Sequence, residues 1–404
     1  MKFEKMLAKN GEYTLKVNDK LVYSKYRPKQ DAFNFIINEI EEAQGYLLIG
    51  LWLGYHLEAL IKLVGEKKPI IVYCSKTEKD LFEENESDFC IPDNVMIVTE
   101  IEAIQFEITY QVIITKIWLS VMDSNHPLYL LILDIKNKQK TYRLYSPLLE
   151  GNFRRNIEYE DFLLKDYSNN LSNKELACLI SAGPSLNKTI DWLTKVDERV
   201  FVLAVGSALK PLLNRGIQPN AVIVADPKIE IMEQIQDRNY NGLLFYLSTA
   251  NHETVSIHPY KRCMLLQNGY ESAEELASCI NYPTLDTGGS VATIAFSLLE
   301  YLGFKRIVLF GQDLSFKGNN THASDSTSNT DVLKGLKNAQ IFSNRGELVF
   351  TSYSLLSYLN WFNRKIPDSI AEVYNTAIDG AKINSTKQLS EEQFIHLCNN
   401  TVFD

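Results

Sequence analysis

The chain has 404 residues, 45% hydrophobic and 23% charged, with 19 Gly and 12 Pro. That composition excludes the disordered, collagenous and disulfide-stapled classes, and its length predicts two or three domains at roughly 150 residues each. With 50 acidic against 41 basic residues the formal charge is −9, which argues against a general nucleic-acid binder, since such proteins displace counterions with a basic surface.

In chain order, the first twenty residues are charged and lack an apolar run of signal-peptide length. The apolar runs Leu47–Trp52 and Val112–Val121 fall short of the ~18–20 residues a membrane span needs, so a cytoplasmic protein without a span is expected. Asp31–Ala43 reads as an amphipathic helix. Tyr46–Ile49 reads as a buried strand, Gly50 and Gly54 bracket a turn, Leu57–Val64 is helical, and Pro69–Cys74 returns as a strand. Such a crossover makes two parallel strands. The polar, Asn- and Ser-rich stretch at 160–175 reads as a boundary closing a first α/β domain at about residue 165.

From 175 to 352 the alternation is clearer. Leu176–Ile180, Val200–Val205, Ala221–Ala225, Gly242–Thr249, Cys263–Gln267 and Arg306–Phe310 are nearly continuous apolar strands, with helical patterns at Leu186–Thr194, Leu209–Arg215 and Ser290–Leu302. Strands apolar on both faces and separated by helices require a doubly wound, mostly parallel α/β sheet. Residues 353–404 read as a helical C-terminal segment, beginning with the amphipathic helix Tyr353–Lys365. Asn319–Asp331 is rich in Ser, Thr, Asn and Asp and long for a plain loop, which marks it as a binding loop or lid.

In such a sheet the ligand sits beyond the carboxyl ends of the strands. Those ends carry Ser181-Ala182-Gly183-Pro184-Ser185-Leu186, Gly206-Ser207, Asp226-Pro227, Thr287-Gly288-Gly289-Ser290 and Gly311-Gln312-Asp313. In SAGPSL, Pro184 suits a first helical turn and the backbone donors of a helix start attract an anion. Two readings stand side by side, a phosphate cradle and a capped helix start without ligand. Thr287–Ser290 repeats the device, and Asp313 is placed either to accept hydrogen bonds from ribose hydroxyls or to cap its own loop. Together the three turns point to a nucleotide or nucleotide-sugar. The segment lacks the full dinucleotide and P-loop glycine patterns.

Of the six histidines, His322 in the loop GNNTHASDS follows Asp313 by nine residues and is the candidate general base for an acceptor hydroxyl; a solvated loop histidine is the plain alternative. His56 opens a helix and reads as either packing or a ligand contact. The cysteines Cys74, Cys90, Cys178, Cys263, Cys279 and Cys398 lack metal-ligand spacing and read as reduced thiols. No metal site and no cofactor are expected.

The segments SAGPSL, AVGSALKPLLNRGIQPNAVIVADP, TGGSVATIAFSLLEYLGFKRIVLFGQDLSF, THA and VYNTAIDGAKINS resemble the motility accessory factor (Maf) family of bacterial flagellin glycosyltransferases, and VYSKYRPKQDA and IGLWLGYHLEAL resemble its N-terminal domain. Trp52 stands where that family usually has glycine, and Arg27 where an acidic residue is common. The resemblance implies transfer of pseudaminic or legionaminic acid from its CMP-activated form, the co-substrate, to Ser or Thr of flagellin in the cytoplasm. It also implies similarity to Rossmann-type sialyltransferases, with Gly183–Ser185, Thr287–Gly289 and Gly311 with Asp313 at the nucleotide. Ala182 replaces their asparagine, and Thr351 and Ser352 occupy the region of their downstream histidine. For an anionic donor, Lys188, Lys228 and Lys317 become the basic residues of interest. Two other readings compete: an Mg-ATP-dependent hydroxymethylpterin pyrophosphokinase, from a family with related GPSL and TGGS-like motifs, and a non-catalytic flagellin-binding or chaperone module.

Overall fold

In the computed structural model of the protein, the described residues are 2–65, 67–85, 90–100, 110–122, 145–165, 167, 175–196, 199–316, 322–327 and 339–399. Two compact units divide the chain, Met1–Lys140 and Thr141–Asp404.

The first unit opens with a three-stranded antiparallel sheet, β1 (Phe3–Leu7), β2 (Tyr13–Val17) and β3 (Lys20–Leu21). Its strands are short and lysine-rich, which hides them from a reading based on apolar runs. The helix Pro28–Glu39 follows, with proline at its start, where the missing N–H costs nothing. Then β4 (Gly45–Ile49), β5 (Ile70–Tyr73), β6 (Val95–Val98) and β7 (Tyr110–Ile114) form a parallel sheet in the order β6-β5-β4-β7. Strand order reverses between β4 and β7, so the unit has its own switch point.

The second unit is built on a nine-stranded sheet. Its strands are β8 (Leu176–Ile180), β9 (Phe201–Val205), β10 (Ala221–Val224), β11 (Leu243–Leu247), β12 (Arg262–Gln267), β13 (Thr284–Leu285) and β14 (Arg306–Phe310). A hairpin of β15 (Ala339–Phe342) and β16 (Leu348–Thr351) stands apart, and β17 (Glu372–Asn375) and β18 (Lys387–Gln388) complete the sheet. The order is β13-β12-β11-β10-β9-β8-β14-β17-β18, and every pairing is parallel. The chain winds outward from β8 to β13 and then crosses back to β14. Strands β8, β9, β10 and β11 are buried along their whole length, as coverage of both faces requires. The crossing helix Val291–Tyr301 buries eight of its eleven residues under the sheet. This is the doubly wound α/β class that the apolar strands predict.

Two boundaries differ from the sequence reading. The division falls at 140/141 and not at 160–175, because the helix over 145–156 is bolted onto the sheet. Its Asn152 donates to the carbonyls of Pro227 and Thr249, and Asn156 to those of Ser248 and Ala250. The C-terminal portion does contain the helix Tyr353–Lys365. It is not helical throughout, since β17 pairs with β14 inside the sheet; the polar ends of that strand, Glu372 and Asn375, mask its pattern in the sequence. Among the described residues no helix is long and apolar enough to cross a membrane, and no disulfide joins the six cysteines.

Candidate functional site

Strand order in the second unit reverses between β8 and β14, and a doubly wound sheet places its ligand crevice beyond the carboxyl ends of such a pair. SAGPSL leaves β8 and GQDL leaves β14, so these two predicted segments meet there. They are stitched together closely. Gly183 N–H donates to Gly311 O at 2.8 Å and Ser181 Oγ to Gln312 Oε1 at 2.6 Å. Gly311 has φ +61°, and a Cβ on it would collide with Ser181 O; only glycine lets the two loops approach so nearly.

The roles of Ser185 and Asp313 differ from the phosphate-cradle expectation. The Asp313 carboxylate is itself the anion at the helix start: it accepts from Ser185 N–H at 3.1 and 3.2 Å and from Ser185 Oγ at 2.7 Å. A Cβ at Gly183 would strike that carboxylate. Asp313 is buried, and its role as a loop clamp, one of the two sequence readings, is what the geometry contains. The following helix is a single turn, Leu186–Thr189, before a 3-10 stretch Ile190–Lys195. Leu314 continues the loop at φ +51° and its carbonyl accepts from Thr351 Oγ1 at 2.8 Å, which anchors a left-handed conformation that disfavours a non-glycine residue.

The next strand, β9, runs straight into the helix Gly206–Asn214, which has no side-chain cap. A Cβ at Gly206 would collide with Gln234. Pro211 inside this helix has no N–H, so the carbonyl four residues earlier, that of Ser207, loses its helical partner. Ser326 Oγ supplies the missing bond at 3.0 Å. The segment 322–327 is thereby tied across both strand ends. Ala323 N–H donates to Ala182 O at 2.7 Å, and Asn187 and Ser324 exchange bonds at 3.1 and 3.2 Å. His322, half-buried, is thus carried to the rim of the SAGPSL loop. The rest of the predicted lid, and Lys317, lie outside the described residues.

The other predicted residues are elsewhere or occupied. Asp226 ends β10, two strand spacings or about 10 Å from β8, where its carboxylate accepts from Lys228 N–H. The Lys228 ammonium lies 4.7 Å from the Tyr145 ring centroid, and its hydrogen bond to Tyr145 raises its pKa. Thr287–Ser290 follows β13, at the sheet's edge. Its amides are taken: Gly288 and Ser290 N–H donate to Thr293 Oγ1, Gly289 N–H to Thr287 Oγ1. Ser290 forms a capping box with Thr293, and Gly288 lies against Trp361. No hydrogen bond among the described residues joins this turn to SAGPSL.

Three charged side chains that the sequence reading did not join meet beside Asp313. Asp379 follows β17; Lys188 Nζ reaches it at 2.6 Å and Arg345 Nε at 2.7 Å. Asp379 lies inside the motif segment VYNTAIDGAKINS, so a signal existed, whereas nothing in a hairpin turn marks Arg345. A further unpredicted cluster covers β11: His252 Nδ1 lies 3.0 Å from Asn156 Oδ1 and Nε2 3.2 Å from Tyr159 OH. Burial, then Arg155, lowers the His252 pKa. Among the described residues no group of three His, Cys, Asp or Glu side chains could hold a metal ion.

A family model described as 6-hydroxymethylpterin diphosphokinase MptE-like matches residues 151–319, which span β8 to β14 and both loops of the switch point. No curated protein matches the chain. Among solved structures, the Maf glycosyltransferase from Magnetospirillum magneticum AMB-1 is similar, with a TM-score of 0.48 and 14% sequence identity over 97% of this chain and 71% of that one.

Proposed function

We propose that the chain is a glycosyltransferase that moves a nonulosonic acid, pseudaminic or legionaminic acid, from its CMP-activated form to Ser or Thr hydroxyls of flagellin in the cytoplasm. The observation that carries this reading is the convergence of SAGPSL and GQDL at the β8/β14 switch point, with His322 delivered to its rim by the Ala323–Ala182 bond. CMP is a good leaving group, so such an enzyme chiefly orients donor and acceptor and supports the departing phosphate. In this reading the uncapped start of the helix Gly206–Asn214 supplies neutral donors, Asp313 holds the loop rigid, and His322 takes the acceptor proton.

The diphosphokinase reading is the second one, favoured by the family-model match over residues 151–319. It requires Mg-ATP and a pterin. Thermal-shift measurements separate the two: stabilisation by CMP or CDP and none by Mg-ATP is the expected result, and the reverse would sink the glycosyltransferase. His322→Ala should keep CMP affinity and abolish the mass increase of purified flagellin incubated with a CMP-nonulosonate. An unchanged mass increase removes His322 from the reaction.

A further inference from the structure

The amides of Ser185 and of Gly288–Ser290 already have acceptors inside the protein. An anion arriving at the switch point therefore needs other partners. Two cations are brought there. Lys188 lies three residues beyond Ser185, after β8. The loop after β17 packs on the loop after β14: a Cβ at Gly380 would lie 2.8 Å from Asp313 Cα, and Ala381 N–H donates to Asp313 O at 2.7 Å. The β15–β16 hairpin turn is fixed to that same loop, with Asn344 N–H donating to Gly380 O at 2.9 Å and Asn344 Nδ2 to Ala377 O at 2.8 Å. Arg345 is thereby held beside Asp379.

We infer that Lys188 and Arg345 form a two-cation clamp for a phosphate group at the switch point, with Asp379 as the internal anion that occupies the clamp until the ligand displaces it. One carboxylate bridges the two cations, and its displacement would leave both of them facing the ligand. Both cations are about half exposed and Asp379 is 29% exposed, so the pairs are weak enough to exchange. A phosphate offers more acceptor oxygens than a carboxylate and takes a guanidinium in bidentate fashion. The inference rests on reading the β8/β14 crevice as an anion site, and it names the residues that read the phosphate.

Calorimetric titration of the full chain with CMP and, separately, with inorganic pyrophosphate tests it. Lys188→Gln and Arg345→Gln should each weaken both ligands by about 5- to 10-fold, the size of one partly exposed charge-assisted bond. Asp379→Asn should tighten both by several-fold and steepen their salt dependence, because it removes the competing anion; a purely structural ion pair would give no gain. Circular dichroism of each variant controls for folding, and Arg345→Lys serves where Arg345→Gln does not fold. If both ligands bind but neither cation matters, or Asp379→Asn weakens binding, the clamp is overturned. Failure of wild type to bind either ligand also overturns it. If pyrophosphate binds through the two cations while CMP does not bind, the clamp holds and the CMP-donor reading fails.

Discussion

The two units solve the same geometric problem in opposite ways. Each has a parallel sheet whose order reverses beside its first strand, a glycine-containing loop leaving that strand, and an acidic side chain from another strand end accepting that loop's N–H. In the first unit Glu78 accepts from Leu51 N–H at 3.2 Å and from Ser75 N–H at 2.9 Å. In the second, Asp313 accepts from Ser185. The difference is what fills the crevice. In the first unit the Trp52 indole is fully buried, its Nε1 donating to Thr115 Oγ1 at 2.7 Å, at the end of β7. A Cβ at Gly50 would come within 2.9 Å of that same indole nitrogen. Trp52 holds φ +52°, a left-handed backbone conformation that glycine adopts without steric cost. The second unit leaves its switch point lined by half-exposed Lys188 and Arg345 and half-buried His322. The two switch points thus differ in the side chains that line them: a buried indole in one, charged and titratable groups in the other.

The largest expected effect comes from emptying the filled crevice. Trp52→Gly should destabilise the first unit by about 3–5 kcal/mol, the usual cost of deleting a buried aromatic, less ~1–2 kcal/mol from relieving the left-handed backbone. Urea-dependent hydrogen exchange at the amides of β4 measures it. A cost below about 1 kcal/mol would mean that the indole does not support the unit.

Acidification should also act on the first unit. His56 is buried against Tyr23 and Phe35, and its Nδ1 has no partner. Burial, then Lys116, depresses its pKa from 6.5 to about 3. The unfolded chain therefore binds a proton below pH 6.5 that the folded unit refuses, and stability falls on acidification from 6.5 towards 3. Between pH 7 and 5 the loss is about 2 kcal/mol at 1.36 kcal/mol per unit. Buried Glu78, whose pKa burial raises, acts in the opposite sense, returning stability only as pH falls through its own titration. The same exchange measurement at pH 7 and pH 5 should show a flatter profile in His56→Leu; an unchanged slope would place the acid sensitivity elsewhere.

In the second unit the effects are smaller and coupled to ligand. Asp313→Ala strands the Ser185 N–H and hydroxyl and should cost about 1–3 kcal/mol together with weaker CMP binding, read by chemical denaturation with and without CMP. Asp313→Ala that leaves both unchanged would remove its clamp role. Ser326→Ala orphans the Ser207 carbonyl beneath Pro211 and should cost about 1 kcal/mol or less, with faster exchange confined to 322–327. Global loosening would contradict that local account.

Much of the second sheet was legible because strands such as Leu176–Ile180 and Phe201–Val205 are apolar on both faces, a pattern few other structures allow. The loops SAGPSL and GQDL were legible as strand-end glycine segments, and the topology joins them. Three things were not legible. The antiparallel strands β1–β3 are too polar and short; β17 carries polar Glu372 and Asn375 at its ends; and the occupancy of each donor is a tertiary fact. Nothing local says that the Ser185 amide would be taken by a carboxylate 128 positions away, or that Arg345 would reach Asp379. Trp52 was visible as a departure from glycine, yet its consequence, an indole filling the crevice, follows only once Thr115 is known to stand at the adjoining strand end.

The proposed function puts nucleotide at the β8/β14 switch point and not at β4/β7. Hydrogen–deuterium exchange of the full chain with saturating CMP tests it most directly. Slower exchange across Ser181–Asn187, Gly206–Ala208 and Gly311–Ser315, with none across Gly50–Gly54, is the predicted result. Protection at Gly50–Gly54, or at Thr287–Ser290 without the switch-point loops, would contradict it.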